Sequence, residues 1–115
     1  MAATKDITSL VERLEAFEER LDIRLESLYA SYYVDNDGLG CLKLQGVLHP
    51  LTGTQLRCDV CLVVDIYDSE SRLVGAQRLW FDSETFFGFE SFDFMMNTHD
   101  IKELSLVRVY PKQIK

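Results

Sequence analysis

Cys58 and Cys61 open the run CDVCLVVDIYD, residues 58–68, at the spacing used by dithiol redox centres and zinc ligands. On paper, Cys41 and His49 complete a four-ligand set. The surrounding residues oppose this chemistry. QLRCDVCLVVDIY alternates, with Leu56, Cys58, Val60, Leu62, Val64 and Ile66 on one face and Arg57, Asp59, Cys61, Val63, Asp65 and Tyr67 on the other. Residues three apart in a strand point in opposite directions, so Cys58 and Cys61 diverge. A redox pair also needs a helix N-terminus to lower its thiol pKa, and here the pair is followed by β-branched residues. Both are read as structural cysteines, with no metal and no cofactor.

Other chemistry-bearing residues carry no motif further. Asp35–Gly38, DNDG, matches the opening of a calcium loop, but the twelfth position, where a bidentate Glu belongs, is Gly46. His49 and His99 lie beside turn residues. Asp100 follows His99, yet no nucleophile motif accompanies them. The six glycines are dispersed, so no phosphate-binding loop is present. The expectation is a non-enzymatic protein.

The chain has 115 residues, 47% of them hydrophobic and 27% charged, the composition of one folded domain plus at most an appendage. A net charge of −7 with scattered Lys and Arg argues against a nucleic-acid partner. No apolar window reaches the roughly 18 residues of a membrane span. MAATKDITSL lacks the basic segment and apolar core of a signal peptide, and three cysteines cannot all pair within one chain. Those features place the expectation in the cytoplasm, with no membrane partner.

Two kinds of element would position these residues. In ITSLVERLEAFEERLDIRLESL, residues 7–28, Ile7, Leu14, Leu21 and Leu28 fall at heptad position a, and Leu10, Phe17 and Arg24 at d. Propensity is high and neither Gly nor Pro interrupts the run, so a helix over about 6–29 is predicted, with Asp6 as N-cap. At 1.5 Å per residue it would be ~33 Å long. The heptads suit self-association, with Arg13 and Glu18 placed for an interhelical ion pair. Val11 and Leu25 widen the stripe, which suits a globular core or a bundle of more than two helices, so docking on the chain's own domain competes with self-association, and binding another protein's helix is a further alternative.

Beyond Asp37-Gly38 the period falls to two. Short strands are predicted in CLKLQGVLH, QLRCDVCLVVDIY, LVGAQRLWF, ESFDFMM and IKELSLVRVY, separated by polar turns and with Pro111 closing the last. Aromatics crowd LWFDSETFFGFESFDFMM. Phe92 and Phe94 share a strand face and belong to the core. Phe86, Phe87 and Phe89 flank Gly88 in a connection, where aromatics either plug the end of a sandwich or form a contact surface with Trp80.

The run LVVDIYDSESRLVGAQ, with Tyr67-Asp68 before a turn and Arg72-Leu73-Val74-Gly75 after it, resembles FxLYD-type domains. Val64 and Ile66 stand where that pattern has Phe and Leu. The resemblance covers about residues 41–110 and implies an immunoglobulin-like sandwich in proteins of unassigned activity. Tyr67 and Asp68 also have a local reason to be there: Asp68 starts a turn through its side chain and Tyr67 packs at the strand's end.

The expected architecture is α+β: a long amphipathic helix in residues 1–30, then an antiparallel, immunoglobulin-like β-sandwich of six or seven strands in 31–115. The expected function is a protein-interaction or assembly module. It would homo-oligomerise through Ile7, Leu10, Leu14, Phe17, Leu21 and Leu28. The alternative is a small-ligand binder with an aromatic pocket at Trp80, Phe86, Phe87 and Phe89.

Overall fold

The computed structural model describes residues 4–34, 37, 40–97 and 104–114. Asp35, Asn36, Gly38, His99 and Asp100 of the motifs weighed above lie outside the described residues. The described chain forms eight strands and one short helix: β1 (Thr4–Asp6), β2 (Val11–Arg13), α1 (Glu15–Arg20), β3 (Ile23–Val34), β4 (Gly40–Pro50), β5 (Val60–Asp68), β6 (Leu73–Phe81), β7 (Glu90–Asn97) and β8 (Leu104–Gln113). They build two four-stranded sheets, sheet I in the order β1-β3-β4-β7 and sheet II in the order β2-β8-β5-β6. The core between them includes Ile23, Leu25, Leu42, Leu44 and Leu48 from sheet I and Leu62, Val64, Ile66, Val107 and Val109 from sheet II.

The predicted long N-terminal helix is absent, and with it the α+β class and the coiled-coil reading. Among the described residues only Glu15–Arg20 is α-helical. A period of two lies inside the heptads: Leu21, Ile23 and Leu25 are buried, while Asp22, Arg24 and Glu26 are not. The aromatic, β-favouring YASYYV continues the strand. Position 30 therefore lies inside β3. Arg24, the residue that broke the heptad, takes the outer face of sheet I.

Two further expectations are corrected. Among the described residues there are eight strands, not six or seven, and β2 runs parallel to β8 rather than antiparallel.

β5 alternates as its sequence requires, with Val60, Leu62, Val64 and Ile66 inward. Its pairing with β6 ends at Tyr67, and the turn begins at Asp68, whose carboxylate accepts hydrogen bonds from the Glu70 and Arg72 amides at 2.9 and 3.0 Å and from Arg72 Nε at 3.1 Å. The Arg72 amide is the main reason its carboxyl stays below the usual range. Pro111 does not close β8 but sits within it, opposite Leu62. The carbonyl of Val109 accepts from Leu14 N, away from β5, so the ring nitrogen of Pro111, of the same parity, also faces away from β5 and forfeits no ladder bond.

Residues 4–18 close one side of the sandwich. β1 pairs with residues 31–33 of β3, the chain crosses between sheets at Ile7–Leu10, and β2 pairs with residues 107–109 of β8. The remaining edge of β3 is sealed by a side chain. Glu18 is buried, and its carboxylate accepts from Leu25 N at 2.9 Å and from Arg13 Nε and Nη2 at 3.0 and 2.5 Å. The Arg13–Glu18 pair placed between helices by the heptads is thus made within one chain. That hydrogen bond raises the Arg13 pKa above its ordinary value.

Glu18→Ala strands a buried amide and leaves Arg13 unmatched. It is expected to lower unfolding free energy in urea by about 3 kcal/mol. A loss within experimental error would mean that Glu18 does not hold this edge.

Candidate functional site

The cysteines do not form a centre. Cys58 precedes β5, whereas Cys61 lies within it, on the outer face of sheet II, with Trp80 and Lys112 as its cross-strand neighbours. Cys41, Cys58 and Cys61 are free thiols. Burial pushes the Cys61 pKa up, and Arg78 and Lys112 offset only part of that shift. Among the described residues, no three His, Cys, Asp or Glu side chains are grouped to hold a metal ion. His49 is engaged elsewhere: Nε2 lies 3.2 Å from Glu26 Oε2, and its ring stacks on Phe89 at 5.6 Å.

The six residues of the supposed helix stripe are dispersed. Ile7 and Leu21 are core residues, and Leu10 and Leu28 pack against that core. Leu14 is half-buried at the start of α1. Phe17 remains partly exposed and meets Tyr110 edge-on at 5.7 Å. It also lines a hollow of about 280 Å³ with Arg20, Leu21, Pro111, Lys112 and Gln113.

The aromatic connection divides between plug and surface. Asp59 accepts from Ser83 N and Oγ, both at 2.8 Å, and chiefly through the amide its pKa is held low. Phe86 N then donates to the carbonyl of Asp82 at 3.0 Å, and the Phe86 ring is buried edge-on against Phe81. Phe86 is the plug. Trp80, Phe87 and Phe89 are 66%, 76% and 64% exposed, so they enclose no ligand with Phe86 in this conformation. They belong to surface instead, Trp80 on β6 and the two phenylalanines at the adjoining end of the sandwich.

β6 adds a feature that periodicity alone does not reveal. It is the last strand of sheet II, paired with β5 on one side only. Ile114 N donates to Asp59 O, and Leu14 N donates to Val109 O. Carried through the registers 59↔114, 64↔109 and 64↔77, these bonds turn the backbone groups of Gln77 and Leu79 toward β5 and those of Ala76, Arg78 and Trp80 toward the open edge. Leu73, Val74 and Trp80 stand exposed along the same strand.

Comparison with known protein families, curated proteins and solved structures returns no match.

Cys61, buried and held as the neutral thiol, is expected to react with a thiol reagent at pH 8 far more slowly than the half-buried Cys58, and to catch up once the protein is unfolded. Equal rates in the native protein, followed by mass spectrometry of the labelled peptides, would contradict this placement.

Proposed function

We propose that this protein is a non-enzymatic assembly module that associates with a second copy of itself by edge-to-edge pairing of β6. The observation that carries this reading is a nine-residue edge strand with exposed Leu73, Val74 and Trp80. Long uncovered edges are templates for pairing, and proteins that avoid pairing blunt them with charges, prolines or short strands. β1 and β2, at the other edges, are three residues each. β7 carries Glu90 and Asp93. β6, LVGAQRLWF, has no proline and a single charge, Arg78, and its one bulge, at Val74, leaves Gly75–Phe81 in regular register.

The strand is also self-complementary. In an antiparallel two-fold pairing centred on Gln77, Trp80 of one copy comes opposite Val74 of the other, the residue at which β6 bulges against β5. Arg78 faces Ala76, which keeps the two guanidinium groups from standing directly opposite each other. The outward backbone groups of Ala76 and Arg78 meet as a hydrogen-bonded pair. Each apolar cross-strand pair contributes about 0.2–1 kcal/mol, so the association is expected to be weak and reversible.

Light scattering over a concentration series should show a monomer passing into a dimer. Val74→Lys combined with Trp80→Lys should abolish the dimer while leaving the far-ultraviolet spectrum unchanged. A single-chain mass into the high-micromolar range, or a dimer indifferent to the two lysines, would refute the proposal.

A further inference from the structure

The bulge in β3 opens a depression on the outer face of sheet I. Pairing with β4 jumps from Glu26↔Val47 to Tyr29↔Gln45, so Ser27 and Leu28 both stand opposite Gly46. Ser27 has φ 55°, a conformation that β-carbon-bearing residues seldom adopt. A Cβ on Gly46 would come within 2.7 Å of Phe92 Cζ and 2.8 Å of Leu28 Cδ2. Glycine is therefore what lets Leu28 and Phe92 pack against the core side of sheet I at this point.

Ser27, Tyr29, Gln45, Val47, Ser91 and Asp93 line this concavity of about 410 Å³. Tyr29, Gln45 and Asp93 share one row across three neighbouring strands. Two interstrand spacings separate the ends of that row by roughly 10 Å. Around a 41% exposed tyrosine ring stand two hydroxyls, a carboxamide and a carboxylate. No Lys or Arg lines it, which disfavours phosphate and other anions. It is also too polar and too open for an apolar ligand, which seeks an enclosed, mainly hydrophobic pocket.

We infer that this depression binds a neutral carbohydrate. A sugar ring has an apolar C–H face, which Tyr29 supports by stacking, and a rim of paired hydroxyls. The hydroxyls both donate and accept, so they match the carboxamide of Gln45, the carboxylate of Asp93 and the hydroxyls of Ser27 and Ser91. The length of the row suits two or three linked sugars. The site lies on sheet I, away from the β6 edge, and stands or falls separately from the assembly proposed above.

The test is to titrate the ¹⁵N-labelled full chain with maltotriose, cellotriose, mannotriose and triacetylchitotriose, reading amide shifts. At least one trisaccharide should shift the Ser27, Tyr29, Gln45 and Asp93 resonances saturably. Tyr29→Ala should weaken that binding by about tenfold with the remaining spectrum preserved, whereas Tyr29→Phe should retain most of it. Absence of shifts with all four sugars, or binding unaffected by Tyr29→Ala, would overturn the inference.

Discussion

The carboxylate of Glu18 is the point on which the arrangement of the N-terminal segment depends. A charge removed from water is tolerated only when its acceptors are filled. Glu18 meets that requirement with the guanidinium of Arg13 and the amide of Leu25. These partners belong to β2 of sheet II and β3 of sheet I, so satisfying one carboxylate ties α1 to both sheets. Thr8 extends the seal: its hydroxyl accepts from Ala30 N at 3.0 Å, and Ile7 N donates to Ala30 O at 2.9 Å. One side of the sandwich is thereby closed by residues 4–18.

The opposite side is closed differently. Side chains cross between β6 and β7, with Gly75 so near Met96 that a Cβ would lie 2.8 Å from Sδ, and with Phe81 and Phe92 edge-on at 6.3 Å. That contact fills the core but leaves the outer backbone edges of both strands unpaired within the chain. Acidic residues protect β7, whereas β6 has only Arg78. The proposed self-association follows from this asymmetry between a sealed side and an open one. The carbohydrate site depends instead on the bulge opposite Gly46, so the two surfaces occupy different sheets and do not compete.

The sequence made the second half of the fold legible and concealed the first. LVGAQRLWF and ESFDFMM fall on β6 and β7 because alternation and turn residues agree there. β5 starts only at Val60, so the alternation expected to part Cys58 from Cys61 does not reach Cys58, which lies in the preceding loop. In residues 7–28 two periods coexist. Leu21 and Leu28 fit a heptad, but Leu21, Ile23 and Leu25 fit a strand, and helix propensity is a weak prior that pairing with β4 overrides. Arg24 at a core heptad position was the visible sign of conflict. The bulge at Ser27 was hidden by the same misreading, because a positive φ in a supposed helix has no signature in side-chain pattern. Ser27, Tyr29, Gln45, Ser91 and Asp93 are far apart in the chain and ordinary as outward polar residues. Only the pairing of β3, β4 and β7 brings them together.

The most direct test of this account is residue-resolved amide hydrogen exchange on the full chain at low and high protein concentration. The amides of Ala76, Arg78 and Trp80, aimed at the open edge, should exchange freely when dilute and gain protection when concentrated. Leu25, bonded to Glu18, should be protected at both concentrations. If the three β6 amides exchange at the same rate at both concentrations, β6 is not the surface through which this protein assembles.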